Sequence, residues 1–201
     1  MPHPDNILEQ LHQRLVMYTG ENTLTSLHHF LSGYRFALDT YGISSAPDPL
    51  VVPRGFHDWV AYRLHFCESG AGWCSMLCDR STTDQDAIDL FFQLLAEFKT
   101  REPHLVAKLI GFKKEYSETT FHRENGENVP GPTLTRSYPD SMSLITYTDD
   151  PGFFVYSDNG DDLPFPSYFP DLELFELFTG ASRSLLTIVD INWSPKPYSR
   201  L

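Results

Sequence analysis

Through the first half of the chain, apolar side chains return every three or four positions, the period of a helix with one buried face. Leu8, Leu11 and Leu15 begin the pattern, with Asp5 placed to cap the first turn. Leu24, Leu27, Leu31, Tyr34, Leu38 and Tyr41 continue it without a miss and predict an amphipathic helix over 23–41, with Gly42 as its stop. The three prolines of SSAPDPLVVPRG, 44–55, mark a connector. FHDWVAYRLHF, 56–66, predicts another helix, and the small residues of SGAG interrupt the chain before WCSMLC resumes. Ile88, Phe91, Phe92, Leu95 and Phe98 give the buried face of a helix over 84–101. Thr83, with Asp86 three positions on, supplies its capping box, and Pro103 ends it.

Beyond Pro103 the period falls to two. HLVAKLIGFKKEY, SLITYT, FFVYS and SLLTIVDINW are β-branched or aromatic runs between Gly, Pro, Asn and Asp, and predict strands. DDPG, 149–152, joins the second and third of these as a hairpin, DNGD ends the third, and Leu172, Phe175 and Leu177 predict a short helix. Helices followed by strands imply an α+β fold, a helical half packed on a mostly antiparallel sheet. At 201 residues we expect a single domain, with a helical subregion over 1–103 and a β-rich one over 104–201.

Composition narrows the function. The net charge of −12 disfavours nucleic acid and anionic membranes as partners, because both require basic surface. No apolar run approaches the ~20 residues of a membrane helix, and MPHPDNILEQLHQR lacks the pattern of a secretion signal. The three cysteines, Cys67, Cys74 and Cys78, are odd in number and clustered, as expected of reduced thiols in a cytoplasm.

Acidic residues are unevenly spread. Positions 137–182 contain nine acids and ten aromatics and no Lys or Arg. One reading is turn chemistry, since Asp side chains bond nearby backbone amides. The other is a face for a basic protein, with rings as desolvated anchors and carboxylates for steering. On that reading the interface draws on Asp149, Asp150, Asp158, Asp161 and Asp162, with Asp171 and Glu173 beyond them and Tyr156 and Phe169 as anchors. DNGDD does not have the spacing of a calcium loop.

Catalytic signatures are weaker. His57, Asp58 and Cys67 could serve a small hydrolase or transferase, but no nucleophile motif frames them. Cys74 and Cys78 lack the second ligand pair of a structural zinc site, and we expect them to be buried helix thiols. His28 and His29 flank an apolar stripe, as boundary residues do. No catalytic residue, metal or cofactor is therefore assigned. RLVMYTGENTLTSLHHFLSGY, 14–34, resembles the opening of type II topoisomerase ATPase domains. That family carries a Glu and an Asn on the next helix, whereas HFLSGYRFALD has neither, and no nucleotide binding is expected.

FHDWVAYRL, GWCSMLC and AIDLFFQLLAEFKTREP, within 56–103, resemble small bacterial proteins encoded beside polymorphic toxins. That resemblance implies an immunity protein, which neutralises its cognate toxin by tight binding and carries no shared catalytic residues. The acidic character suits a basic toxin such as a nuclease.

Overall fold

The computed structural model describes residues 7–43, 48–66, 72–124, 127–147, 152–159 and 167–193. Backbone contacts divide the chain into two compact units, Met1–Glu102 and Pro103–Leu201. Helices occupy the first and antiparallel strands dominate the second, an α+β arrangement.

In the helical unit, α1 (Ile7–Gln13) and α2 (Leu15–Thr19) are separated at Arg14, whose backbone leaves the helical region. Asp5, the expected cap, lies outside the described residues. Helix α3 spans Leu24–Tyr41. Thr23 Oγ1 accepts from the Ser26 amide at its start, and Gly42 turns left-handed at φ 65° to stop it. Its stripe is buried only in part. Leu24, Leu27 and Leu31 enter the core, Tyr34 and Leu38 are half-buried, and Tyr41 is 77% exposed.

Helix α4 covers Phe56–Arg63, shorter than the periodicity predicts. His65 adopts a left-handed φ of 56°, and the Phe66 amide returns to the Ala61 carbonyl at 2.9 Å, closing the last turn. After α5 (Gly72–Asp79), helix α6 (Asp84–Thr100) opens with the predicted capping box of Thr83 and Asp86. Ile88, Phe91, Leu94, Leu95 and Phe98 form its buried face. Phe56 sets its ring edge-on against Phe91 and Phe98, and Trp73 stacks on Phe91 at 4.9 Å. Each such ring contributes about 1.5–3 kcal/mol through burial, which makes α6 the packing axis of this unit.

The strand unit contains β1 (His104–Ile110), β2 (Glu115–Glu124), β3 (Glu127–Ser137), β4 (Ser141–Thr146), β5 (Phe153–Ser157), β6 (Tyr168–Phe169) and β7 (Leu186–Ile188). Helix α7 (Leu172–Thr179) follows β6. One sheet has the order β6-β5-β4-β1-β7, and β2 and β3 form a separate two-stranded ribbon. The predicted hairpin is present as β4 and β5, registered from Met142 opposite Ser157 to Ile145 opposite Phe154. The run from 104 to 116 is not one strand. Gly111, at φ 74°, turns the chain there and donates its amide to the Asp140 carbonyl at 2.7 Å. SLLTIVDINW likewise yields only the three residues of β7, because the chain before them coils into a 3-10 turn at Arg183–Leu185.

Alternation sends Ala107, Leu109, Met142, Leu144, Phe153, Val155 and Phe169 to one side of the five-stranded sheet. Helix α7 covers that side through Leu172 and Phe175, with Phe175 edge-on to Phe153 and Phe169 at 5.8 and 5.2 Å. This is the core of the unit. No helix among the described residues is long and apolar enough to cross a membrane.

Candidate functional site

The other side of the same sheet carries the chemistry that the acidic stretch foreshadows. Register aligns Lys108 with Ser143 and Ser143 with Tyr156, so the three stand in a row across β1, β4 and β5. The next row on this side runs from Ile145 through Phe154 to Tyr168. Just past the end of β5, Asp158 folds back over β4. Its amide donates to the Ser141 carbonyl at 3.2 Å. Its carboxylate accepts from the hydroxyls of Ser141 and Ser143, the latter at 2.5 Å, and faces Lys108 Nζ at 3.5 Å. These partners, the two hydroxyls foremost, hold the Asp158 carboxyl below its ordinary pKa.

Beside it lies an aromatic cluster. Tyr147 meets Phe154 edge-on at 5.3 Å, Phe154 lies parallel to Tyr156 at 6.2 Å, and the Tyr147 and Tyr156 hydroxyls are 3.3 Å apart. Phe154 and Tyr168 are almost fully buried, while Tyr156 is 36% exposed and forms the outer ring of the group. A fixed carboxylate next to a half-exposed tyrosine, each held by neighbours, can receive a cationic or hydrogen-bonding side chain without first being ordered.

The expected interface residues are distributed as follows. Tyr156 and Asp158 share this face. Phe169 does not: it is 1% exposed and points into the core on the opposite side, so its role as a surface anchor is corrected to a packing role. Strand parity explains this, since β6 places Tyr168 on one side of the sheet and its neighbour Phe169 on the other. Asp171 caps α7, its Oδ1 accepting the Leu174 amide at 2.8 Å, and Glu173 is exposed in the first turn of that helix. Both favour the helix dipole locally, and Glu173 rides on the element that covers the core side. Asp149, Asp150, Asp161 and Asp162 lie outside the described residues.

Lys108, Ser141 and Ser143 were not among the expected site residues. Their signal was available in the alternation of β4, which puts both serines on one face, but nothing local ties them to an aspartate 15 or 17 positions later.

Elsewhere, His57 and Asp58 occupy consecutive positions in the first turn of α4, roughly 100° apart around its axis. Cys67, the third member of that hydrolase reading, lies outside the described residues. Cys78 is exposed and Cys74 half-buried, which corrects the expectation that both are buried. Burial, followed by the neighbouring Cys78, raises the Cys74 thiol to a pKa of about 11. His28 is partly buried against Trp73 and its pKa is lowered, by burial first and by His29 second, as for a boundary residue. Among the described residues no group of three or more His, Cys, Asp or Glu is placed to hold a metal ion.

The helical unit adds a polar chain that joins distant segments. His12 Nε2 and Asp89 Oδ1 are 2.7 Å apart, Gln85 donates to the same Asp89 oxygen, and Asn22 donates to Gln85. His12 also stacks on Phe92 at 4.2 Å. His12, Asn22 and Gln85 border a shallow groove of about 680 Å³ that is also lined by Arg14, Val16 and Met17. It is open, and no nucleophile accompanies the imidazole along its lining.

Comparison with protein-family models, with curated proteins and with solved structures finds no match to this chain.

Proposed function

We propose that the protein is an immunity-type inhibitor, acting in the cytoplasm, that binds a basic toxin protein and blocks it. A nuclease effector is the kind of toxin that its charge suits best. The observation that carries this reading is the outer face of β4 and β5, where Tyr156 projects from an aromatic cluster beside the fixed carboxylate of Asp158. Sequence supports it further: Asp149, Asp150, Asp161 and Asp162 flank the same two strands, within a window that has no Lys or Arg.

On this reading the rings supply desolvated contact and the carboxylates steer the approach. Steering of this kind raises association rates by about 10–1,000-fold at low salt. The net charge of −12 extends the attraction beyond the contact itself.

The test uses the polypeptide encoded by the neighbouring gene as the binding probe. Replacing Asp149, Asp150, Asp161 and Asp162 by lysine should slow association by at least about tenfold and flatten its dependence on ionic strength. Tyr156→Ala should act on dissociation instead. Association unchanged by the four reversals removes the acidic stretch from the interface.

A further inference from the structure

Among the described residues of the strand unit the ribbon of β2 and β3 pairs with no further strand, and its two outer edges differ. Its strands are ten and eleven residues long, and the described side chains of both are mostly exposed. An isolated two-stranded ribbon is marginal in water, and a third or fourth strand is what stabilises it. The five-stranded sheet ends in strands of two and three residues, a common way of blunting an edge against foreign strands. On the ribbon, β3 is protected as well. It bulges opposite Thr120, between its pairings with Thr119 and Phe121, and carries Pro130 and Pro132 there. Strand β2 has no proline and runs ten residues without such protection.

The direction of the backbone groups on β2 follows from one hydrogen bond. The Tyr138 amide donates to the Lys114 carbonyl at 2.8 Å, so that pair points inward. Alternation then turns the amides and carbonyls of Glu115, Ser117 and Thr119 outward. Two further observations agree. The Thr119 and Thr133 hydroxyls approach to 3.0 Å, as side chains do at positions without ladder bonds. Past the bulge, Phe121 pairs with Pro130, which has no amide hydrogen to give it.

Because only alternate residues offer free groups, two copies of β2 can pair antiparallel solely in registers that match odd positions with odd ones. Among these, the register centred on Thr119 gives the fullest overlap. It sets Thr119 against its own copy, Ser117 against Phe121, and Glu115 against Arg123. Two-fold symmetry produces that acid–base match twice, and the register sets no two positions of like charge opposite each other. Within the ribbon itself, Glu115 and Arg123 stand across from the neutral Ser137 and Asn128.

We propose that this chain forms a two-fold dimer in which the outer edges of β2 pair about Thr119 and join the two ribbons into a four-stranded sheet. The inference is independent of the toxin-binding reading, since it rests on the edge of β2 alone. About ten backbone hydrogen bonds over a small area predict micromolar association, not a permanent complex.

Sedimentation velocity of the full chain from about 1 to 200 μM should show a reversible monomer–dimer equilibrium. Glu115→Arg and Arg123→Glu each convert both attractive pairs into repulsive ones and should weaken association at least about tenfold. The double variant restores the match with the charges exchanged and should return to within about threefold of the original chain. Thr119→Pro deletes an outward amide and the hydroxyl contact with Thr133 but no ladder bond within the ribbon, and should give a monomer with unchanged far-ultraviolet circular dichroism. A chain that stays monomeric throughout, or a dimer indifferent to the single reversals, or a double variant as weak as either single one, overturns the proposal.

Discussion

Lys114 Nζ donates to the carbonyl of Thr179 at 2.5 Å, tying the turn after β1 to the end of α7 across 65 residues of sequence. A cation on the last carbonyls of a helix answers both an unpaired acceptor and the negative end of the dipole. Gly180, the next residue, sits at φ +67°, and a β-carbon there would fall 2.5 Å from the same Nζ. Lys114→Met should therefore lower stability by about 1–2 kcal/mol. Gly180→Ala should cost about 1 kcal/mol or more from backbone strain alone. Since the alanine also displaces the lysine, the double variant should cost less than the sum of the two, as read from urea midpoints.

Asp158 gives the strand unit a dependence on acid. Its carboxyl is depressed by Ser141 and Ser143 first and by Lys108 after them. A depressed carboxyl contributes stability that is complete above its unfolded pKa of about 3.9 and is lost as pH falls through the lower folded value. The Asp158→Asn variant should thus melt below the original chain at neutral pH, and the gap should close as the buffer is taken below about pH 4. Solvent reaches the site, so the difference at neutral pH should not exceed about 1 kcal/mol. A gap that widens in acid would assign the stabilisation to another group.

Gly152 is hemmed in by a ring and by backbone, where the neighbour of Gly180 is the end of a flexible side chain. At φ +99°, an added β-carbon would lie 2.7 Å from the Tyr168 ring and 2.9 Å from the Phe169 carbonyl. Neither can yield easily, because one ring is almost fully buried and the other atom belongs to a paired strand. Gly152→Ala should cost about 2 kcal/mol or more, with the loss visible in the urea midpoint.

The thiols of α5 should react unequally. Cys74, half-buried and raised to about 11, has almost no thiolate at pH 8, whereas Cys78 is exposed. Brief alkylation of the folded protein followed by peptide mapping should find Cys78 modified well ahead of Cys74, and the difference should vanish in denaturant.

Much of the helical unit was legible because its helices announce both ends. Thr23 and Gly42 bracket α3, and Thr83, Asp86 and Pro103 bracket α6, each by local chemistry that needs no tertiary information. The ribbon of β2 and β3 has no such signature. EYSETTFHRE alternates polar residues with other polar residues, so no hydrophobic period marks it, and only Asn125-Gly126 between the strands carries a hairpin signal. The inward direction of Phe169 is hidden for a different reason. In a two-residue strand, which neighbour faces the core is set by the register with β5, which composition cannot supply. The contacts of Asp158 and of His12 are not legible in the sequence, because their partners lie far off along the chain and are brought near only by the fold.

The ring packing in the two units also settles how the molecule can be watched. Trp193 stands perpendicular to Phe153 at 5.9 Å, at the margin of the strand unit's core, while Trp59 and Trp73 both belong to the helical unit. With three indoles in all, replacing Trp193 by phenylalanine silences one half of the chain optically, and replacing the other two silences the remainder. Each half then reports its own melting by fluorescence, without labels, and whether the halves come apart together becomes a directly readable quantity.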